Sequence, residues 1–282
     1  MIPNAATTTR SAVRTDVPLP FPPDFTTHLL REIPLAHILP FLNRQMLYSK
    51  HLGLIGVVER LLAAGDDKAV KVHEAVEAML AEAVEQQLIR PHALFRFFPA
   101  AGDGNDLILF DPEGSGKEVM RFTFPRQAGG ERLCLPDFVR PVSSGERDSI
   151  ALFVVTCGEG IREKAERLKE AGDYLKSHLL QALALESAEA TAEYLHKRIR
   201  DAWGITDDPD LTLKQLFNVE YQGVRVSFGY PACPEIADQE KLFKLLQPEQ
   251  IGVQLTDGSM MDPEASISAL VFHHPEGKYF AV

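Results

Sequence analysis

Arg225-Val-Ser-Phe-Gly-Tyr-Pro-Ala-Cys-Pro234 places one guanidinium ahead of a Gly229-Tyr230 corner and brackets Ala232 and Cys233 with two prolines. Proline fixes φ near −65° and removes a donor. Glycine opens conformations closed to other residues. The stretch therefore reads as a rigid, non-repetitive loop with free backbone carbonyls and one fixed cation. Such a loop can clamp a small zwitterion, its carboxylate on Arg225 and its amine on the carbonyls. A carboxylate takes two parallel hydrogen bonds from a guanidinium, a geometry lysine does not copy.

Downstream, His273-His-Pro-Glu-Gly-Lys-Tyr-Phe280 offers a turn followed by aromatic residues, and Ser266–His273 and Lys278–Val282 read as closing strands. Adjacent histidines on a strand point to opposite faces, which argues against zinc at His273 and His274. Upstream, roughly 161–203 reads as a long helix broken at Gly172. Glu186, Glu189 and Glu193 fall on one face of it, at i, i+3 and i+7. Three like charges on a face ordinarily mark a solvated face.

Further out, 54–64 and 68–89 have helical spacing. Thr212–Phe217 and Ala237–Leu246 read as shorter helices. Phe95–Phe98, Asp106–Asp111 and Glu118–Phe124 read as strands, the first two joined by a hairpin-type connection at 101–105. Short connections predict an antiparallel meander. Ser149–Cys157 is a continuous apolar run, expected at the centre of the sheet. Strands and helices without strict alternation predict an α+β fold: a twisted, mainly antiparallel sheet flanked by helices. Residues 1–24, with Thr7–Thr9 and Pro18, Pro20, Pro22 and Pro23, read as a flexible Pro/Thr-rich linker, with 25–282 as one folded domain. A linker here suggests a preceding module, as in a longer enzyme or a split version of one.

The bulk properties narrow the function. Hydrophobic content of 45% predicts a sizeable core, and a net charge of −11 argues against nucleic acid as a partner. No apolar run approaches a membrane span, and the first residues have no apolar signal core. Three widely spaced cysteines form neither a disulfide framework nor a metal knuckle. Together these point to the cytoplasm. Val155-Thr-Cys-Gly-Glu-Gly-Ile-Arg-Glu163 is strand, GxG and helix, but a glutamate stands where a dinucleotide fingerprint has its third glycine. It reads as a strand-to-helix corner. Cys233 has no evident histidine base and reads as structural.

The pattern Arg-x-x-x-Gly-Tyr-x-Ala-Cys-Pro resembles the S-adenosylmethionine-binding signature of the C-terminal activation (reactivation) domain of cobalamin-dependent methionine synthase. Ala192-Glu-Tyr-Leu-His196, Leu133–Phe138, Gln181–Glu186 and Leu255–Gly258 extend the similarity over most of 25–282. The resemblance implies a C-shaped, helmet-like domain. It also implies a methyltransferase-linked role in methionine biosynthesis: presenting S-adenosylmethionine so that oxidised cobalamin is reductively remethylated. Arg225 would anchor the ligand carboxylate. The backbone around Ala232 and Tyr279 would hold amine and adenine, Phe280 would line the ligand by packing, Gly229 and Tyr230 would belong to the same site, and Glu189 would favour the cationic end. The family's amine-binding Asp has no counterpart in Leu35–Asn43, so that contact falls to His37, Asn43 or water. Val226, Phe228 and Val219 also depart from the family's Pro, Pro and Glu. The implied partners are a cobalamin-binding module and flavodoxin or a similar reductant. The cobalamin pattern Asp-x-His-x-x-Gly and a Cys-Cys zinc motif are both missing, so the corrin would be held by another domain or chain. Two other readings stay open: a stand-alone reactivation protein for a separate corrinoid protein, and a degenerate domain that only docks a redox partner.

Overall fold

The run Ser149–Cys157 lies at the centre of the molecule because it is apolar on both sides. In the computed structural model, which describes residues 10–282, all nine residues of the strand around it, Asp148–Thr156, are buried. In chain order the strands are β1 (Thr27–Leu30), β2 (His92–Asp103), β3 (Asp106–Phe110), β4 (Glu118–Thr123), β5 (Asp148–Thr156), β6 (Val224–Val226), β7 (Gln254–Leu255), β8 (Met261–Asp262) and β9 (Ser266–Phe272). The helices are α1 (Leu35–Ile38), α2 (Arg44–Met46), α3 (Val58–Ala63), α4 (Asp67–Glu85), α5 (Ile161–Glu170), α6 (Tyr174–Ala202), α7 (Leu213–Phe217) and α8 (Gln239–Leu246). The main sheet runs β4-β3-β2-β5-β9-β6, with β1 also on β2. Every pairing is antiparallel. This is the α+β architecture expected. No helix among the described residues is long and apolar enough to cross a membrane.

Strand alternation sorts the sheet into two cores. Phe95, Phe97, Ala151, Phe153, Val155, Ala269 and Val271 face α4 and α6. Leu94, Phe98, Ile150, Leu152, Val154, Leu270 and Phe272 face α8 and the turn holding Leu135 and Phe138. Helix α6 packs closely because Ala182, Ala184, Ala188, Ala190 and Ala192 are small and buried. It starts where Gly172 takes φ +82° and Asp173 caps Lys176 N at 3.1 Å. The break expected at Gly172 is thus present.

Three expectations are corrected. Lys278–Val282 forms no strand. The chain turns after His274, where Gly277 N donates to His274 O at 2.9 Å, and leaves the sheet. Arg225 is not in a loop: it is the middle residue of β6, paired with Val271 on β9. The loop begins only after Val226. The linker reading of 1–24 lies partly outside the described residues, but its described part, 10–24, is docked rather than free. It has no helix or strand, yet Val13 is buried in the second core and Val17 is buried as well. Arg10 Nη2 donates to the carbonyls of Asp137 and Val139 at 2.5 and 2.9 Å.

Candidate functional site

Register decides where Arg225 points. Residues opposite one another in an antiparallel pair share a face. Val271 belongs to the α6-facing core, whereas Val224 and Val226 bury into the opposite one. Arg225 is therefore directed toward α6, where it lines a groove of about 470 Å³ with Glu189, Val226, Ser227, Tyr230, Pro231, Ala232, Tyr279, Phe280 and Ala281.

The wall from 227 to 234 is held by its own backbone. Gly229 N donates to Cys233 O and Cys233 N to Tyr230 O, both at 2.8 Å. Gly229 sits at φ +88°, a left-handed conformation that makes this tight double turn possible. Ala232 and Cys233 are buried, and burial pushes the Cys233 thiol well up, which suits a structural residue. Tyr230 stays half exposed on the rim. On the opposite wall Phe280 is anchored edge-on to Phe138 at 6.2 Å, which leaves Tyr279 half exposed beside it.

The floor is electrostatic. Arg225 Nη2 donates to Glu193 Oε1 at 2.6 Å, and Glu189 Oε2 lies 3.7 Å from the same nitrogen. Burial is the largest influence on Arg225 and opposes its charge, but Glu193, with Tyr279 and Glu189, outweighs it and holds the guanidinium above its ordinary value. Burial is also the largest influence on Glu193. There it outweighs the pull of Arg225, so the carboxyl lies above the usual range. Arg225 Nε and Glu193 Oε2 are buried without a partner among the described residues. Part of the donor fork is thus unspent on the protein, which suits a groove that receives a carboxylate. Behind the pair, Tyr221 lies against the Arg200 guanidinium at 3.8 Å, and Arg200 Nη2 donates to Asp207 at 2.6 Å.

Of the residues singled out from sequence, Arg225, Tyr230, Ala232, Tyr279, Phe280 and Glu189 come together in one groove. Gly229 shapes the loop without lining it. His37 is not brought in: α1 turns Leu35 and Ile38 inward and leaves His37 exposed. Asn43 is spent capping α2, accepting from Met46 N at 3.1 Å. The solvated-face expectation for the acidic trio is corrected too, because Glu186 is buried and Glu193 nearly so. Sequence reasoning missed the role of Glu193, although its place one turn after Glu189 is a usable signal. The histidine pair divides its contacts: His273 Nε2 meets Asp148 at 2.6 Å, and His274 Nε2 meets the carbonyl of Arg14 at 3.0 Å. Gly158 and Gly160 form the corner expected. Gly160 sits at φ +67° before α5, and a side chain on Gly158 would strike Pro263 at 2.5 Å.

Fold and groove together define a class: an α+β domain whose sheet edge and C-terminal segment frame an open groove floored by an arginine–glutamate pair. Comparison with known proteins identifies the family. The profile described as "Vitamin B12 dependent methionine synthase, activation domain" matches residues 34–282, and the chain belongs to that family. It is 32% identical over 289 aligned residues to methionine synthase of Mycobacterium tuberculosis (strain ATCC 25618 / H37Rv), and 31% over 287 to that of Mycobacterium leprae (strain TN). Each match covers 97% of this chain and 24% of the relative, so the chain spans about a quarter of their length. A crystal structure described as the MetH reactivation domain bound to AdoHcy superposes with a TM-score of 0.88 at 28% identity. That match covers 95% of this chain and 84% of the other.

Proposed function

We propose that this chain binds S-adenosylmethionine in the Arg225 groove and presents its methyl group for reductive reactivation of cobalamin-dependent methionine synthase. The observation that carries the reading is the convergence, from three separate segments, of a guanidinium, a carboxylate and two aromatic walls on one groove. The family membership and the AdoHcy-bound structural relative point the same way. In this reading Arg225 receives the ligand carboxylate, and the backbone of Tyr230–Ala232 and the Tyr279 wall take amine and adenine. Glu189, at the groove's edge, favours the cationic end.

Methyl transfer from a sulfonium needs no general base. The S–CH3 bond breaks with its electron pair returning to sulfur, and the leaving group is a neutral thioether. The protein's task is positioning, with the methyl held outward at about 3–3.5 Å from an in-line acceptor at reaction. An open groove suits this better than a closed pocket. The acceptor, a corrin, would be supplied by another domain or chain, and this chain's own sequence holds no pattern for it. A cobalamin-binding module and flavodoxin or a similar reductant are the partners this reading requires.

Calorimetric titration tests it. S-adenosylmethionine should bind the wild type saturably, and Arg225→Ala should lose about 2–4 kcal/mol of affinity, the scale of a charge-assisted pair. An unchanged dissociation constant in that variant removes Arg225 from the site.

A further inference from the structure

We propose that Glu193 is the positioning residue of the groove: its carboxylate, fixed on α6, sets the plane of the Arg225 guanidinium and so creates the seat for the ligand's amino-acid end. This rests on the reading that the groove binds S-adenosylmethionine. Two acids lie near Arg225 Nη2, and exposure decides between them. The Glu189 side chain is 51% exposed and 3.7 Å away, so water screens it. The Glu193 side chain is 13% exposed and 2.6 Å away, and Arg225 is equally shielded. Glu193 gives the only side-chain hydrogen bond found for this guanidinium among the described residues.

The geometry of support is one-sided. Ala192 and Leu195, beside Glu193 on α6, are fully buried, so the carboxylate projects from a part of the helix that cannot shift easily. Arg225, by contrast, sits on a three-residue edge strand and hangs on a long side chain. Its fork has several rotamers to lose on binding unless something fixes it first. Glu193 engages Nη2 alone and leaves Nε unpartnered. The bond therefore orients the fork without exhausting it. A pair this shielded is not given up to an incoming carboxylate, because Glu193 would be left as an uncompensated, poorly solvated charge. The ligand shares Arg225 with Glu193.

The test uses two probes on the full chain: S-adenosylhomocysteine, which carries the amino-acid tail, and 5′-methylthioadenosine, which lacks it. Glu193→Ala should weaken the first at least about tenfold and the second by no more than about twofold, because only the first uses the seat. Glu193→Gln keeps an oxygen acceptor for Nη2 and should restore S-adenosylhomocysteine to within about threefold of wild type. If Glu193→Ala does not fold, Glu193→Asp serves instead: it keeps the charge but withdraws it by a methylene, and must weaken the tailed probe alone. Equal loss of both probes overturns the proposal in favour of a general structural role. No change in either means that Arg225 is held by other means. Wild-type protein that binds neither probe overturns the reading of the groove itself, a result separate from both.

Discussion

Glu186 occupies a place on α6 that charge counting does not foresee. Its carboxyl is buried and lies 3.1 Å from His51 Nε2. Burial, with Glu189 nearby, raises it from 4.5 to about 7. Burial, with Lys50 and His178, lowers His51. Burial thus shifts both partners toward their neutral forms. The sign of the linkage follows. Between pH 4.5 and about 7 the folded chain keeps a proton on Glu186 that the unfolded chain has released, so this residue's contribution falls as pH rises through that window. Glu186→Gln should match wild type near pH 5 in urea denaturation and exceed it by about 3 kcal/mol near pH 8. A difference that does not change with pH would dismiss the buried acid. The pairings of Glu186 and Glu193 could not be read from spacing. Spacing places residues on a helix face, whereas burial of that face depends on what packs there. In this chain the turn ending at His51 and strand β6 arrive from distant sequence.

At the scale of elements, most of the sheet was legible because its strands are long and apolar. The run around Phe153 predicted its central position, and the turn at Gly104 and Asn105 predicted the β2–β3 hairpin. β1 and β6 were not legible, being four and three residues long. Each is held by its neighbour's ladder rather than by a pattern of its own. β6 matters most, since it converts Arg225 from a loop cation into a residue with a defined face. Its entry depends on Gly223, which sits at φ +93° with the place of a side chain only 2.7 Å from the Phe272 carbonyl. Gly223→Ala should cost about 1–3 kcal/mol through backbone strain and should displace Arg225 from Val271. Thermal unfolding and ligand titration on the same variant check both effects. Unaltered stability and affinity would show that β6 is placed without this glycine. Gly229→Ala is the contrasting case: its side chain would meet only Ile236 at 3.7 Å, so any cost there comes from φ alone.

At the scale of the molecule, the groove is composite. A sheet edge, a helix, a loop and a C-terminal segment each supply part of it, and the signature at 225–234 marked only the first and third of these. That single segment and the Tyr279-Phe280 pair were legible because their residue types are unusual together; of the helix-borne floor Glu189 was legible and Glu193 was not. The segment 10–24 also packs on the body. Arg10 grips the carbonyls of Asp137 and Val139, Arg140 Nη2 donates to Val17 O at 2.8 Å, and two valines are buried. Removing residues 1–17 should lower unfolding stability by about 3–6 kcal/mol, counting about 1.5–3 per buried valine. Chemical denaturation of the shortened chain checks this, and an unmoved midpoint would mean that the packing contributes nothing.

The carbonyl of Arg14 meets His274, and Arg14 N donates to Glu276, five and three residues before Tyr279. The entering polypeptide is thus lashed to the same short segment that carries the aromatic wall. The segment that carries the groove's aromatic wall is therefore braced from outside the groove, and a disturbance of residues 10–14 that frees His274 and Glu276 would reach Tyr279 without passing through Arg225 or α6.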